Sequence, residues 1–238
     1  MKRPKVITFD IGHTLCFPRF EDFIQFLKKH YDVNLKATDL READRRIRYV
    51  NGRESPKALK DLPIPGVSVV YSGSLISELL PHRLNETQTL VRFLKDCMPV
   101  QDSWFSVMPE DAIPCLEMLQ AKGFRLGIIS NANGKVIQNL TVAGINQYFD
   151  FVVDSGLLDF EKPDARIFRH ACELAGIKPD RLLHIGDSVR SDVLGAMNAG
   201  SQAALYDPDF RVHQGVLPPH VPHFRSLRAF ADSFCPAE

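Results

Sequence analysis

Four side chains, far apart in the chain, have types and settings that could do chemistry together: Asp10, Ser130, Lys162 and Asp187. Asp10 follows Val6-Ile7-Thr8-Phe9, a β-branched and aromatic series that reads as a buried strand. Ser130 and Gly186-Asp187 end two further strand-like runs, Phe124-Arg125-Leu126-Gly127-Ile128-Ile129 and Leu182-Leu183-His184-Ile185. In an open parallel α/β sheet, ligands bind in the crevice beyond the carboxyl ends of the strands. A carboxylate, a hydroxyl and a second carboxylate at three such ends would meet a substrate while rigid elements hold them. Lys162 lies in the loop between the second and third ends, directly before Pro163. Each residue alone has a plainer use. Asp10 opens a turn, Ser130 and Asp187 cap or turn, and Lys162 is a surface lysine. Chance places one such residue at a strand end easily, and four in this order much less so.

The elements that must position them alternate strand and helix. After the strand ending at Asp10, helical expectations cover 109–122, 135–143 and 164–175, with a further helix behind Asp187 that carries Gly195, Ala196, Ala199 and Gly200 for close packing. Strands are expected at 124–129, 151–153, 182–185 and 202–206, with an edge strand near His223-Phe224 and a last helix after Ser226. Repeated strand-helix units imply a parallel sheet covered on both faces. The rhythm breaks after Leu15. Phe20, Phe23, Ile24, Leu27 and Tyr31 recur at helical spacing. A second helix begins near Thr38 or Asp39, with Asp39 and Glu42 resembling a capping box, and ends by Gly52. Its Leu40, Ala43, Ile47 and Val50 form an apolar stripe, while Arg41, Arg45 and Arg48 share a face that Glu42 or Asp44 would pair. The Pro-rich stretch 55–66 reads as a loop, and helices are expected over 67–80 and 86–97. The expected architecture is a three-layer, Rossmann-like α/β core formed by residues 1–16 and 107–238, interrupted by an all-helical insert over 17–106.

With these motifs in place, the chain resembles the haloacid dehalogenase-like hydrolase superfamily, in the branch with a helical cap after the first motif. The resemblance implies that Asp10 is a nucleophile that attacks phosphorus and becomes an aspartyl-phosphate. It implies that the Ser130 hydroxyl bonds a phosphoryl oxygen, that Lys162 neutralises charge on nucleophile and phosphate, and that Asp187 holds Mg²⁺ together with Asp10 and the backbone carbonyl of Gly12. Asp192, five residues beyond Asp187, would orient Lys162 or a metal-bound water. Asn131 and His13 are the candidate substrate contacts, and the cap would set which small phosphorylated molecule enters. The charge balance agrees without the family. A carboxylate can approach a phosphate only if a divalent cation and a lysine offset the repulsion.

The first motif departs from the family at one place. Phosphatases of this kind carry a second Asp two residues after the nucleophile, and Gly12 stands there. The metal site survives, because glycine still offers its carbonyl. The general acid–base group is lost, which is worth roughly 10²–10⁴ in rate, or roughly 3–5 kcal/mol. His13 is a candidate substitute, since a histidine titrates near neutrality. The expectation is an impaired or specialised phosphatase. Two alternatives stand behind it: a dehalogenase, which uses the same Asp without metal but typically lacks the acid at Asp187, and a non-catalytic member that binds a phosphorylated ligand or a protein.

Composition narrows the class. The 238 residues are 45% apolar and 24% charged, with 29 basic and 29 acidic side chains, so no global charge draws nucleic acid or anionic lipid. The five cysteines are odd in number and lack a C-x-x-C pair, as expected of reduced thiols in a cytoplasmic protein. No apolar run reaches membrane-spanning length, and Met1-Lys2-Arg3-Pro4 leads into a strand rather than a signal-peptide core.

Overall fold

The computed structural model describes residues 3–51, 75, 79, 105–208 and 217–234. The helices expected over 67–80 and 86–97 fall almost wholly outside this set. The chain divides into two compact units, one of Met1–Phe17 with Val107–Glu238 and the other of Pro18–Ser106.

The first unit is built on six strands. In chain order the elements are β1 (Val6–Phe9), β2 (Phe17–Pro18), α1 (Phe20–Tyr31), α2 (Ala37–Asn51), β3 (Phe105–Val107), α3 (Ala112–Ala121), β4 (Arg125–Ser130), α4 (Val136–Val142), β5 (Phe151–Asp154), α5 (Ala165–Ala175), β6 (Leu182–Gly186), a π-helical turn (Val189–Leu194), α6 (Gly195–Asn198), β7 (Gln202–Tyr206), β8 (His223–Phe224) and α7 (Leu227–Asp232). The main sheet has the order β5-β4-β1-β6-β7-β8, while β2 and β3 form a separate two-stranded sheet. Every neighbouring pair in the main sheet is parallel. Connections from β1 run first towards β5 and then return to the other side at β6, so the topological switch point lies between β1 and β6. All four residues of β1 are buried, as a strand covered on both faces requires. Phe9 packs edge-on against Phe230 of α7, with centroids 6.1 Å apart. Another cluster joins Ile129, Val153, Ile167, Phe168, Ala171, Val193 and Ala196.

Register sets the height of each strand end. Phe9 lies opposite Ile128 on one side and Ile185 on the other, and the Asp10 N–H donates to the Ile185 carbonyl at 2.9 Å. Asp10 is therefore level with Ile129, one residue before the end of β4, and with Gly186, the last residue of β6. Loops are tied down locally. Asp164 caps α5 by accepting from the Arg166 N–H, and Ser226 caps α7 by accepting from the Ala229 N–H.

The second unit contains α1 and α2, with Phe23, Leu27, Leu40 and Ala43 buried, and so is Phe26, which helical spacing from Phe20 had not picked out. The capping box lies one turn earlier than expected. Asp39 sits inside α2 and its carboxylate accepts from the Lys36 N–H at 2.9 Å, so Asp39 is the reciprocal half of the cap rather than its start. Glu42 pairs instead with Arg46 at 3.2 Å. The helix expected behind Asp187 is also different: a π-helical turn precedes the four residues of α6. Among the described residues no helix is long and apolar enough to cross a membrane.

Asp154 joins three segments. Its Oδ1 accepts from the Gly156 N–H at 2.9 Å and its Oδ2 from the Val136 N–H at 3.1 Å, the first residue of α4. Asp154→Ala strands the buried Val136 donor and frees the exposed Gly156 N–H, and is expected to cost about 1–3 kcal/mol. A lower urea midpoint at unchanged m-value, partly recovered in Asp154→Asn, is the measurement.

Candidate active site

Three strand ends and one loop converge at the switch point. The Lys162 ammonium donates to Asp10 Oδ1 at 2.7 Å, to Asp192 Oδ1 at 2.6 Å and to the Ile129 carbonyl at 2.9 Å. Three N–H bonds thus find three oxygens. All three side chains are buried: Asp10 is 8% exposed, Lys162 4% and Asp192 1%. A charge is tolerated there only because it is paired and hydrogen-bonded.

The loop holding Lys162 is itself clamped. Asn131, just past β4, accepts from the Lys162 N–H and donates to the Lys162 carbonyl, both at 2.8 Å. Its amide is thereby a clasp on the lysine's backbone, a role different from the substrate contact expected of it. The Lys162–Pro163 peptide bond is cis. Ser130, the last residue of β4, is 5% exposed and flanks the same strand end as the Ile129 carbonyl.

Asp192 reaches the lysine because the backbone behind Asp187 is widened. The Ser188 carbonyl accepts from both the Asp192 and Val193 N–H groups, the second an i→i+5 bond that makes a π-helical turn, a feature common at functional sites. Ser188 accepts from the Ser191 N–H through its hydroxyl, and its own N–H donates to Asp192 Oδ2 at 2.9 Å. A Cβ on Gly186 would strike the Asp192 carboxyl group, so only glycine leaves room for it. The second oxygen contact of Asp192 Oδ1 is His184 Nε2 at 3.2 Å, and His184 Nδ1 lies 3.0 Å from the Thr8 hydroxyl. His184 and Thr8 were not among the sequence candidates. The only hint was a histidine in an otherwise apolar strand, and its partner is 176 residues away in the chain.

The electrostatics follow from burial against pairing. Burial, helped by the Asp192 charge, outweighs Lys162 and raises the Asp10 pKa. For Asp192 burial also favours the neutral form, yet Lys162 and the His184 hydrogen bond prevail and hold the carboxyl well below the usual range. Burial opposes the Lys162 charge, and the two carboxylates overcome it and raise its pKa. Burial lowers that of His184. Cys16 is no rival nucleophile, since burial and then the Asp10 charge push its thiol up to about 12.

Asp10, Asp187 and Asp192 each offer an oxygen within 4.8 Å of the other two. Three carboxylates against one ammonium leave two negative charges in excess, which one divalent cation would cancel. The donors are all oxygen, the set a hard cation such as Mg²⁺ takes. Both Asp192 oxygens are already occupied by Lys162, His184 and Ser188, so Asp10 and Asp187 are the better placed ligands. Gly12 lies in the turn after Asp10, where the Ile11 carbonyl accepts from Thr14, Leu15 and Cys16 and the His13 N–H donates to the Cys16 carbonyl. His13 is 7% exposed, has a left-handed backbone with φ 57°, and packs its ring edge-on against Phe17.

Comparison with known proteins places this site in context. Over 92 residues the chain is 44% identical to the glyceraldehyde 3-phosphate phosphatase of Methanothermobacter thermautotrophicus, a match covering 38% of this chain and 41% of that one. Over 100 residues it is 31% identical to the N-acylneuraminate-9-phosphatase of Rattus norvegicus, covering 42% and 40%. These matches thus span less than half of the length of the curated relatives. The fold is shared with the magnesium-bound HAD-hydrolase YfnB of Bacillus subtilis at a TM-score of 0.68 and 21% identity, covering 96% of this chain and 97% of that one. A haloacid dehalogenase-like hydrolase family model matches residues 4–200. With Asp10, Lys162 and Asp187 gathered at the switch point of its sheet, this chain belongs to the haloacid dehalogenase-like hydrolase family.

Proposed function

We propose that this protein is a Mg²⁺-dependent phosphoric monoester hydrolase of the cytoplasm, acting on a small phosphorylated metabolite through an aspartyl-phosphate on Asp10. The observation that carries the reading is the Lys162 ammonium, held 2.7 Å from Asp10 at the switch point with Asp187 in the same acidic cluster. The phosphatases among its relatives support it.

Asp10, Asp187 and the Gly12 carbonyl would hold Mg²⁺, which when bound polarises a phosphoryl oxygen and screens the approach of two anions. One Asp10 carboxylate oxygen attacks phosphorus in line with the ester oxygen, and the P–O bond to the alcohol breaks. Lys162 compensates charge on Asp10 and on the transferring group without moving, because three acceptors fix it. Ser130 donates its hydroxyl to a second phosphoryl oxygen. Water then attacks the phosphorus of the aspartyl-phosphate, releasing phosphate and restoring the Asp10 carboxylate. The departing alkoxide needs a proton in the first half, and the attacking water must lose one in the second. Gly12 can supply neither. Substrates whose leaving group is already a weak base need no such donor, so acyl and aryl phosphates are turned over in preference to alkyl phosphates.

Chelation with EDTA is expected to abolish turnover of p-nitrophenyl phosphate and added Mg²⁺ to restore it, while Asp10→Asn reduces kcat by at least about 10³-fold. Activity that survives both would overturn the mechanism. Wild-type kcat/KM should favour p-nitrophenyl phosphate over a sugar phosphate by about 10²-fold or more, and Gly12→Asp should raise sugar-phosphate turnover by about 10²-fold. Equal wild-type rates on the two substrates would sink the leaving-group argument. Gly186→Ala drives a methyl group into Asp192 and is expected to lower kcat together with stability, the latter by about 1–3 kcal/mol, as read by activity per folded molecule and by thermal melting.

A further inference from the structure

We propose that His184 is a positioning residue: by donating its Nε2 proton to Asp192 Oδ1 it holds that carboxylate on the Lys162 ammonium, and so keeps the ammonium on Asp10. This rests on the reading of Asp10 as nucleophile given above.

The direction of the chain is set by chemistry at each link. A carboxylate only accepts, so the 3.2 Å contact between His184 Nε2 and Asp192 Oδ1 places the proton on Nε2. In the neutral ring Nδ1 is then bare, and it accepts from the Thr8 hydroxyl at 3.0 Å. The neutral ring is the one favoured here, since the pocket is fully buried and already holds a cation. Thr8 and His184 are direct register partners in adjacent parallel strands, so the hydrogen bond crosses the switch point itself. Phe168 of α5 packs edge-on against the imidazole at 5.2 Å and closes its other side.

Packing alone does not call for a histidine. An apolar side chain of similar size would fill the site without the cost of burying two ring nitrogens. The imidazole is satisfied at both nitrogens, and one bond leads to the site. Asp192 Oδ2 is fixed by the Ser188 N–H, whereas among the described residues Oδ1 meets Lys162 and His184. Removing the His184 donor leaves Oδ1 dependent on the very ammonium it is meant to orient. The ammonium then loses the fixed direction of one of its three bonds, while Asp10 is where the phosphate must arrive.

The test compares His184→Phe, which keeps a ring of similar volume without a donor, with His184→Gln, whose carboxamide can still donate to Asp192. Thr8→Val removes the partner on the far side. Kinetics with p-nitrophenyl phosphate and Mg²⁺ are measured per folded molecule. His184→Phe is expected to lower kcat by about 10–100-fold with KM changed by less than about 3-fold. His184→Gln returns kcat to within about 5-fold of wild type, and Thr8→Val falls in the same direction by less. A purely structural role would instead lower melting temperature and leave kcat per folded molecule alone. Independently of turnover, the ¹⁵N spectrum of the histidine rings should show the His184 proton on Nε2. The proposal is overturned by a kcat within about 2-fold of wild type in His184→Phe, by failure of His184→Gln to rescue, or by a proton on Nδ1. If His184→Phe does not fold, His184→Gln, Thr8→Val and the ring spectrum decide. Absence of turnover in wild type on every phosphate tried would strike the phosphatase reading instead, and the ring spectrum would still answer for His184.

Discussion

A buried ammonium held between two buried carboxylates is stable only when it is complete. Each charge at this site has given up water, and each regains it through contacts at 2.6 to 2.9 Å: Lys162 to Asp10, Asp192 and the Ile129 carbonyl. Taking away either carboxylate leaves a buried cation short of a partner, which costs more than the pair contributes over an apolar filling. Such an arrangement is a poor device for stability and a good one for presenting an oxygen of Asp10 in one direction. The rest of the core unit can be understood as what this cluster requires of its surroundings.

Those requirements are met by backbone, and each by a different element. The parallel register of β1 with β4 and β6 brings Asp10, Ile129 and Gly186 to one level. Asn131 clasps the Lys162 peptide from both sides, so the lysine is fixed at its root as well as at its tip. The π-helical turn and the bare α-carbon of Gly186 let Asp192 come back over the strand that precedes it. On the far side, Gly195 performs a similar service, since a Cβ there would crowd the Phe168 ring at 2.8 Å and the Pro163 Cα at 3.1 Å. Phe168 in turn bounds the His184 imidazole. Small residues behind Asp187 thus bring a helix, a loop and a ring together around one cation.

What could be foreseen from the residues divides along physical lines. Strand β7 at Gln202–Tyr206 and the short β8 at His223–Phe224 fall where the sequence places them, because a strand's identity is written in its own few residues. Asp10, Ser130 and Asp187 were visible because each follows a run of buried apolar neighbours, whereas Lys162 was visible through its place in Glu161-Lys162-Pro163-Asp164 between two of those ends. The π-helical turn was not, since its cause is a tertiary demand: Asp192 must meet Lys162, and the local composition of Val189–Leu194 suits an ordinary helix equally well. Asp39 was misplaced by one turn because Lys36 offers only its backbone to the cap and so leaves no side-chain signal. The pairing of His184 with Thr8 depends on which strands are neighbours, and that information lies in the topology of the whole sheet.

The same separation bears on Gly12. Lys162 is held by Asp10, Asp192, the Ile129 carbonyl and the Asn131 amide, none of them at position 12. The turn after Asp10 closes on its own backbone, with the Ile11 carbonyl accepting three N–H groups. The side chain at position 12 therefore takes no part in holding Lys162 between Asp10 and Asp192. In the proposed mechanism, proton transfer and charge compensation fall to different residues on different elements, so the first can be weakened while the second stays intact. His13 follows in the turn with its ring against Phe17 and its backbone in the left-handed region, a conformation that non-glycine residues adopt at some cost. The strain thus sits next to Gly12, in the turn that follows Asp10 and apart from the contacts that hold Lys162.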